Sequence, residues 1–456
     1  MFPAAIPADA GVAGDAARSH KSSAPTPFGS SAVPDAQRHG HQTFSVIHNA
    51  CPRAAALRRA KGLPMLLPIL LLSAAGFTIL TTEFLIVGLL PGLARDLNVT
   101  VSQAGLLVSL FAFTVAATGP LLTALMANIE RKRLFIGVLV LFGLSNALAA
   151  AAPNIWVMAI ARFVPALALP VFWSLASATA VELVGPARAG RAISTVAFGI
   201  VAATVFGIPI GVLISDAFGW RAAFAILSGV AFAKALLLLF TFPSTRIRAD
   251  SVKLMTHLRI LRNPLVVGHV LLSLLVFTGM FTAYTYLADM LERLAGFNGQ
   301  IVGWTMMAFG AVGLIGNTLG GRMVDRSPLG ATALFSSLMA AGLAALGSVM
   351  TSHGLLAVAL GVWGIAQAAL FIVCHVRLMK SAPEAPAFAA SLNISGANIG
   401  IGLGAVVGGN VIDQYGLGSL GWAAAIIVAI AVGLAFLLMG ASRARPQPKA
   451  ACANAA

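Results

Sequence analysis

The chain of 456 residues is 59% apolar and only 9% charged, with a mean hydropathy of +0.93. Soluble domains are about a quarter charged and less than half apolar, and a globule of this length could not hide such an excess without large apolar patches outside. A soluble enzyme, a disordered chain and a secreted disulfide scaffold are thereby excluded, and the composition is that of an integral membrane protein.

In chain order, residues 1–62 are rich in Ala, Pro, Ser, Gly and His, show no hydrophobic period, and are expected to form a disordered tail. No short apolar stretch with a small-residue cleavage site precedes residue 62, so no cleaved signal is expected. His39, His41 and His48 lack a neighbouring carboxylate or thiol cluster, and Cys51, Cys374 and Cys452 form no framework. Neither a metal nor a cofactor is expected.

From Pro64 onward, apolar runs long enough to cross a hydrocarbon core of ~30 Å recur at short intervals. Twelve are read, near 66–90, 105–127, 134–152, 155–183, 192–215, 222–242, 265–290, 301–323, 331–350, 354–376, 388–411 and 420–440. They are too long and too uniformly apolar for the ~10-residue alternating strands of a membrane barrel. The expected fold class is all-α, with twelve transmembrane helices. The longest connection divides them six and six. The expected domains are a tail at 1–62, an N-terminal six-helix bundle at 63–242, a central loop at 243–264, a C-terminal six-helix bundle at 265–440 and a second tail at 441–456.

Twelve crossings put both termini on one side. On that side fall twenty-one Lys and Arg residues, from Arg53 through the central loop to Lys449, against three on the other, Arg95, Arg221 and Arg293. By the positive-inside rule both termini are expected in the cytoplasm, with the chain crossing the cytoplasmic (inner) membrane. The net charge of +15 is then a topology signal, and no nucleic-acid partner is expected.

An internal repeat supports the division. Gly207-x-x-x-Gly211-x4-Asp216-x-Phe218-Gly219 recurs as Gly404-x-x-x-Gly408-x4-Asp413-x-Tyr415-Gly416, 197 residues on. Gly105 and Phe111 recur as Gly303 and Phe309, 198 residues on. Duplicated halves place a substrate site between them near the membrane midplane, with one half rocking against the other.

Three local motifs add to this pattern. They are Gly320-Gly321-Arg322-Met323-Val324-Asp325-Arg326 after the eighth run, Gly207-Ile-Pro209-Ile-Gly211 in the fifth, and Thr82-Glu83-Phe84, followed by Gly88 and Pro91, in the first. Together with the twelve runs and the basic central loop they resemble the major facilitator superfamily, over about residues 64–440. The first is similar to that family's G-x-x-x-D-R loop, and the second to the G-P-x-x-G motif of its antiporters. The third resembles the drug:proton antiporter branch, which includes sugar-efflux and purine-ribonucleoside-efflux members. The resemblance implies gating roles for Gly207, Pro209, Gly211, Gly321, Asp325 and Arg326. It implies the same for Arg131, in a first-half loop that keeps the basic end of the motif but lacks its Asp. Arg162 resembles the family's span-four arginine, which implies a part in proton coupling.

Glu83, Arg162 and Lys234 are the ionisable residues other than histidine read as lying well within the runs. A charge at such depth costs at least ~2.5–3.5 kcal/mol on insertion scales, which makes each a functional candidate. Glu83 lies seven residues before the end of the first run and Arg162 seven after the start of the fourth. At about 1.5 Å per residue both sit ~10 Å below the same boundary, and equal depth lets them pair. Glu83 is the expected proton carrier, with a purely structural ion pair as the alternative. Lys234 is expected to snorkel to the interface.

Trp173, Tyr284, Trp363, Gln367, Asn393 and Asn398 are candidates for binding an uncharged or amphipathic substrate, with plain helix packing as the alternative for each. Gly400-x-Gly402-x-Gly404 reads as close helix packing, since no strand precedes it. The expected function is proton-coupled efflux of a small organic molecule such as a drug, sugar or nucleoside, by alternating access. Its partners are that molecule, protons and the lipid bilayer, and the protein is expected to be monomeric. An uptake symporter on the same fold is the nearest rival. A membrane-embedded enzyme would need a nucleophile–base or metal constellation at one depth, and a channel would need a repeated filter loop.

Overall fold

The computed structural model describes residues 66–126, 128–184, 189–244, 262–383 and 386–444, all within one compact unit, Arg59–Ala456. The expected tail at 1–62, nearly all of the central loop and the last residues of the chain lie outside them. Among the described residues, twelve helices are long and apolar enough to cross a membrane. They are α1 (Leu66–Asp96), α2 (Val101–Met126), α3 (Arg131–Ala150), α4 (Ile155–Val184), α5 (Ala189–Ala202, a π turn Ala203–Gly207, then Ile208–Phe218) and α6 (Trp220–Thr241). The second six are α7 (Pro264–Tyr284, continued by Leu287–Arg293), α8 (Gly299–Arg326), α9 (Pro328–Val349), α10 (His353–Ser381), α11 (Pro386–Tyr415) and α12 (Leu420–Ala444). Among the described residues there is no strand.

Hydrocarbon offers no water to the backbone, so each span satisfies its own N–H and C=O groups by coiling. Several hydroxyls inside the spans follow the same rule. Thr82 donates to the Thr78 carbonyl at 2.9 Å, Thr114 to that of Leu110 at 2.7 Å and Thr282 to that of Thr278 at 2.8 Å, each one turn back. Helix starts are fixed by caps: Asn263 before Pro264, Asn298 before Gly299 and Ser327 before Pro328 each accept a first-turn N–H.

The helices outrun the apolar runs by one or two turns, and this corrects the list of charges within the spans. Arg377, counted with the loops, lies inside α10 and is 1% exposed, and Arg131 opens α3 at 1%; Asp289, at the end of the seventh run, is buried too, at 1%.

The repeat is visible in the backbone. Gly219 (φ 84°) and Gly416 (φ 82°), 197 residues apart, both turn the chain through the left-handed region that glycine enters freely, after α5 and after α11. Gly207 and Gly211 let α5 approach Thr81 and Leu85 of α1, and Gly404 and Gly408 let α11 approach Thr278 and Thr282 of α7 in the same way. Gly400 and Gly402 also face other helices, at Phe277 and Phe113.

The two halves meet from mid-membrane to the face away from Leu66 and Ala444. There Arg95 pairs with Glu292 at 3.1 Å, Ser102 donates to Asp413 at 2.9 Å and Ser109 to the Gly402 carbonyl at 2.9 Å. Tyr286 closes over Gly105. Toward the terminal face, α2 and α5 instead expose Leu121, Leu125 and Phe198. The bundle is closed at the far face.

Candidate transport site between the halves

On the first-half side, α1 carries a polar ladder. Asn146 of α3 donates to the Thr82 hydroxyl at 3.0 Å and to the Phe142 carbonyl at 2.9 Å. Arg162 of α4, 2% exposed, donates to the carbonyls of Thr82 at 2.5 Å and Glu83 at 2.6 Å, and its guanidinium lies 4.5 Å from the Phe111 ring centre. Arg162 and Glu83 are therefore brought together, but through the main chain. Their side chains form no ion pair within 4.0 Å, and the Glu83 carboxylate, partly buried, takes no hydrogen bond from a described residue. A planar guanidinium suits two successive carbonyls better than an ammonium would.

Lys234 departs from its expectation. It reaches across to α1, donating to the Ala74 carbonyl at 2.6 Å and the Thr78 hydroxyl at 2.5 Å, with the Phe77 ring centre 5.2 Å away. An ammonium so held does not snorkel. It staples α6 to α1 on the ladder that ends at Arg162.

The second-half side is aromatic. Phe281, Tyr284, Phe309 and Trp363 form a cluster: Tyr284 lies on Phe309 at 5.8 Å and edge-on to Phe281 at 5.5 Å, and Trp363 is edge-on to Phe309 at 5.2 Å. Phe84, next to Glu83, meets Phe281 at 5.8 Å and so joins the two sides. Trp363 Nε1 in this cluster, Gln367 Oε1 one turn further along α10 and Asn398 Oδ1 on α11 are buried and lack a partner. An unpaired polar atom away from water costs roughly 1–3 kcal/mol, so such atoms near the middle of α10 and α11 are suited to a visiting ligand.

The remaining candidates fall elsewhere. Asn393 accepts from Ser273 at 2.9 Å, and Ser273 in turn accepts from Arg377 at 2.7 Å, a network of the second half's terminal end. Trp173 packs edge-on to Phe172 at 5.3 Å and fills the space that Gly76 leaves on α1. Gly207 ends the π turn, with Pro209 and Gly211 in the turns after it, and Leu213 of the same helix fills the space over Gly303 of α8. Asp325 pairs with Lys380 at 2.9 Å, Arg326 is exposed, and Gly321 has open space around it. Arg131 is buried with Nε and Nη1 unpartnered. Asn146 is not marked in the sequence, and Thr82, Phe281 and Phe309 enter it only through a motif or the repeat offset, not as site residues. Phe277, Phe281 and Tyr284 do stand four and three residues apart, the spacing of one helix face.

A family model described as the Major Facilitator Superfamily matches residues 72–349 and 271–453. The "Inner membrane transport protein YdhP" of Escherichia coli is 32% identical over 386 residues, covering 84% of this chain and 98% of that protein. A "Probable sugar efflux transporter" of Helicobacter acinonychis is 31% identical over 357 residues, 78% of this chain and 91% of its own length. Among solved structures, an inward-facing, occupied bacterial homologue of the human lysosomal transporter Spinster superposes with a TM-score of 0.69 at 18% identity, covering 84% of this chain and 98% of that one. A D-xylose–proton symporter gives a TM-score of 0.66 at 16% identity, over 81% and 96%. Twelve spans in two repeated halves, the motifs and these likenesses agree: the chain belongs to the major facilitator superfamily of membrane transporters and is similar to its sugar-efflux members.

Proposed function

We propose that the protein is a proton-coupled exporter of the cytoplasmic membrane, with both termini in the cytoplasm, exchanging an uncharged or amphipathic small organic molecule for protons by alternating access. The observation that carries this reading is the state of Glu83. Its carboxylate lies within a span, beside an aromatic contact between the halves, and without a hydrogen bond from a described residue. A structural carboxylate at such depth would be expected to have its charge matched by a direct partner. Arg162 instead spends two of its donors on carbonyls, which leaves the carboxylate free to take or lose a proton as the site empties or fills. The aromatic cluster with Trp363 Nε1, Gln367 Oε1 and Asn398 Oδ1 supplies stacking surface, one donor and two acceptors for a small polar or aromatic solute. With the termini in the cytoplasm, the arrangement closed at the far face is the one closed to the outside, ready to load from within.

The test is a panel of sugars, nucleosides and amphipathic drugs offered to energised everted vesicles. A true substrate should accumulate and discharge the acid-inside gradient as it enters. Accumulation only in right-side-out vesicles, driven by acid outside, would replace export with symport.

A further inference from the structure

Far from the transport site, the terminal end of the second half holds a cavity of about 350 Å³. It lies between the first turns of α7, the α8–α9 junction and the last turns of α10 and α12. His269, Arg326, Arg377 and Lys380 line it. Lys380 is offset by Asp325 at 2.9 Å, which leaves Arg326 and Arg377 as net positive charge at the cavity. The N-terminus of α9, a helix of 22 residues, opens at Ser327 and Pro328 on the same wall and adds a partial positive charge.

Two buried side chains at this wall are incompletely satisfied. Arg377, 1% exposed, donates to the His269 carbonyl at 3.0 Å, the Ser273 hydroxyl at 2.7 Å and Thr332 at 3.4 Å, yet its Nε has no partner. His269, 7% exposed, has an unpartnered Nδ1. Two guanidinium residues, Arg326 and Arg377, and a helix N-terminus bordering one hollow suit a compact anion with several acceptor oxygens. Met439 of α12 forms an apolar wall, and beside it α12 exposes Phe436 and Leu437, as a helix does where it meets acyl chains.

We propose that this cavity binds a phosphate group, and that its source is the headgroup of an anionic phospholipid in the leaflet at the terminal face. Basic pockets between spans on the cytoplasmic side hold such headgroups by charge and hydrogen bonds, while the acyl chains remain in the bilayer. Bound there, the lipid would tie together the ends of α7, α9, α10 and α12, all within the second half.

The full-length protein in neutral detergent is titrated with phosphatidylglycerol, with phosphatidylcholine and with inorganic phosphate, following its melting temperature and the lipid retained in native mass spectra. Phosphatidylglycerol should raise the melting temperature by several degrees and remain bound one per chain, while phosphatidylcholine does neither. The exposed pair Arg326→Gln with Lys380→Gln should remove the retained lipid, whereas Arg322→Gln, on the same helix but outside the cavity lining, should keep it. Equal loss in Arg322→Gln, or retention by the double variant, would overturn the site. Protection by inorganic phosphate with no retained phosphatidylglycerol would overturn the lipid assignment.

Discussion

The two halves are built on one repeat but furnished differently at their meeting point. The first presents Glu83, Arg162, Asn146 and Lys234 around α1, and the second presents Phe281, Tyr284, Phe309 and Trp363 around α7. Phe281 stands where the repeat offset of 198 would carry Glu83. Shared backbone geometry, down to the paired glycines at 219 and 416, has thus been kept while side-chain chemistry diverged. The difference suggests a division of labour in which one half handles charge and the other handles the solute's carbon skeleton.

The division is most severely tested at Glu83. Glu83→Gln keeps the shape of the side chain but removes its charge, and should reduce proton-driven accumulation to that of empty vesicles while the protein still inserts and exchanges solute downhill. Wild-type export with an unchanged pH profile would make this carboxylate structural. Next in size is Arg162→Met, which strands two carbonyls that now accept charged donors. Hydrogen bonds to charged groups are worth roughly 1.5–3 kcal/mol each, so the purified variant should melt several degrees lower and transport poorly. Arg162→Lys should fall between, because one ammonium cannot reproduce the fork.

On the aromatic side, Trp363→Leu should weaken solute binding, raising KM about two- to tenfold in line with ~0.5–1.5 kcal/mol for an aromatic pair, with protons moved per solute unchanged. A change in proton coupling there would dissolve the distinction between the halves. Lys234→Met should cost less again, slowing transport modestly without uncoupling it. Complete uncoupling would move the proton site down the ladder. The smallest effect is expected for Arg95→Gln at the far face, an exposed side chain whose pair with the half-buried Glu292 is worth ~1 kcal/mol. A shift in outward-to-inward exchange rate, with KM unchanged, is the measurement that would reveal it.

Much of the architecture was legible because lipid imposes a length and a composition on each span. The repeat was legible because glycines that permit close approach recur at the same offset. Charges at the ends of spans were not. Arg131 and Arg377 belong to helices that continue beyond the apolar stretch, and hydropathy cannot tell a loop cation from one folded back under a helix end. The place of Lys234 is hidden from the sequence for a related reason. Its stem is long enough to reach either the interface or a neighbouring carbonyl, and only the packing of α6 on α1 decides between them. Tyr284 and Trp363 could be named from the chain, but they meet each other and Phe309 only once α7, α8 and α10 are side by side.

The π turn at Ala203–Gly207 has a further consequence for α5. A π turn is an α-helix that has absorbed one surplus residue, so everything after it is out of phase with everything before. That phase sets Gly207 and Gly211 against α1 while Thr204 and Leu213 meet Gly310 and Gly303 of α8, which lets one helix serve as spindle for both halves. Coiling this turn as regular α-helix at unchanged chain length would swing the Ile208–Phe218 segment by about 100°. The glycines would then face away from α1, so a relative that lacks the π turn should also lack one residue here.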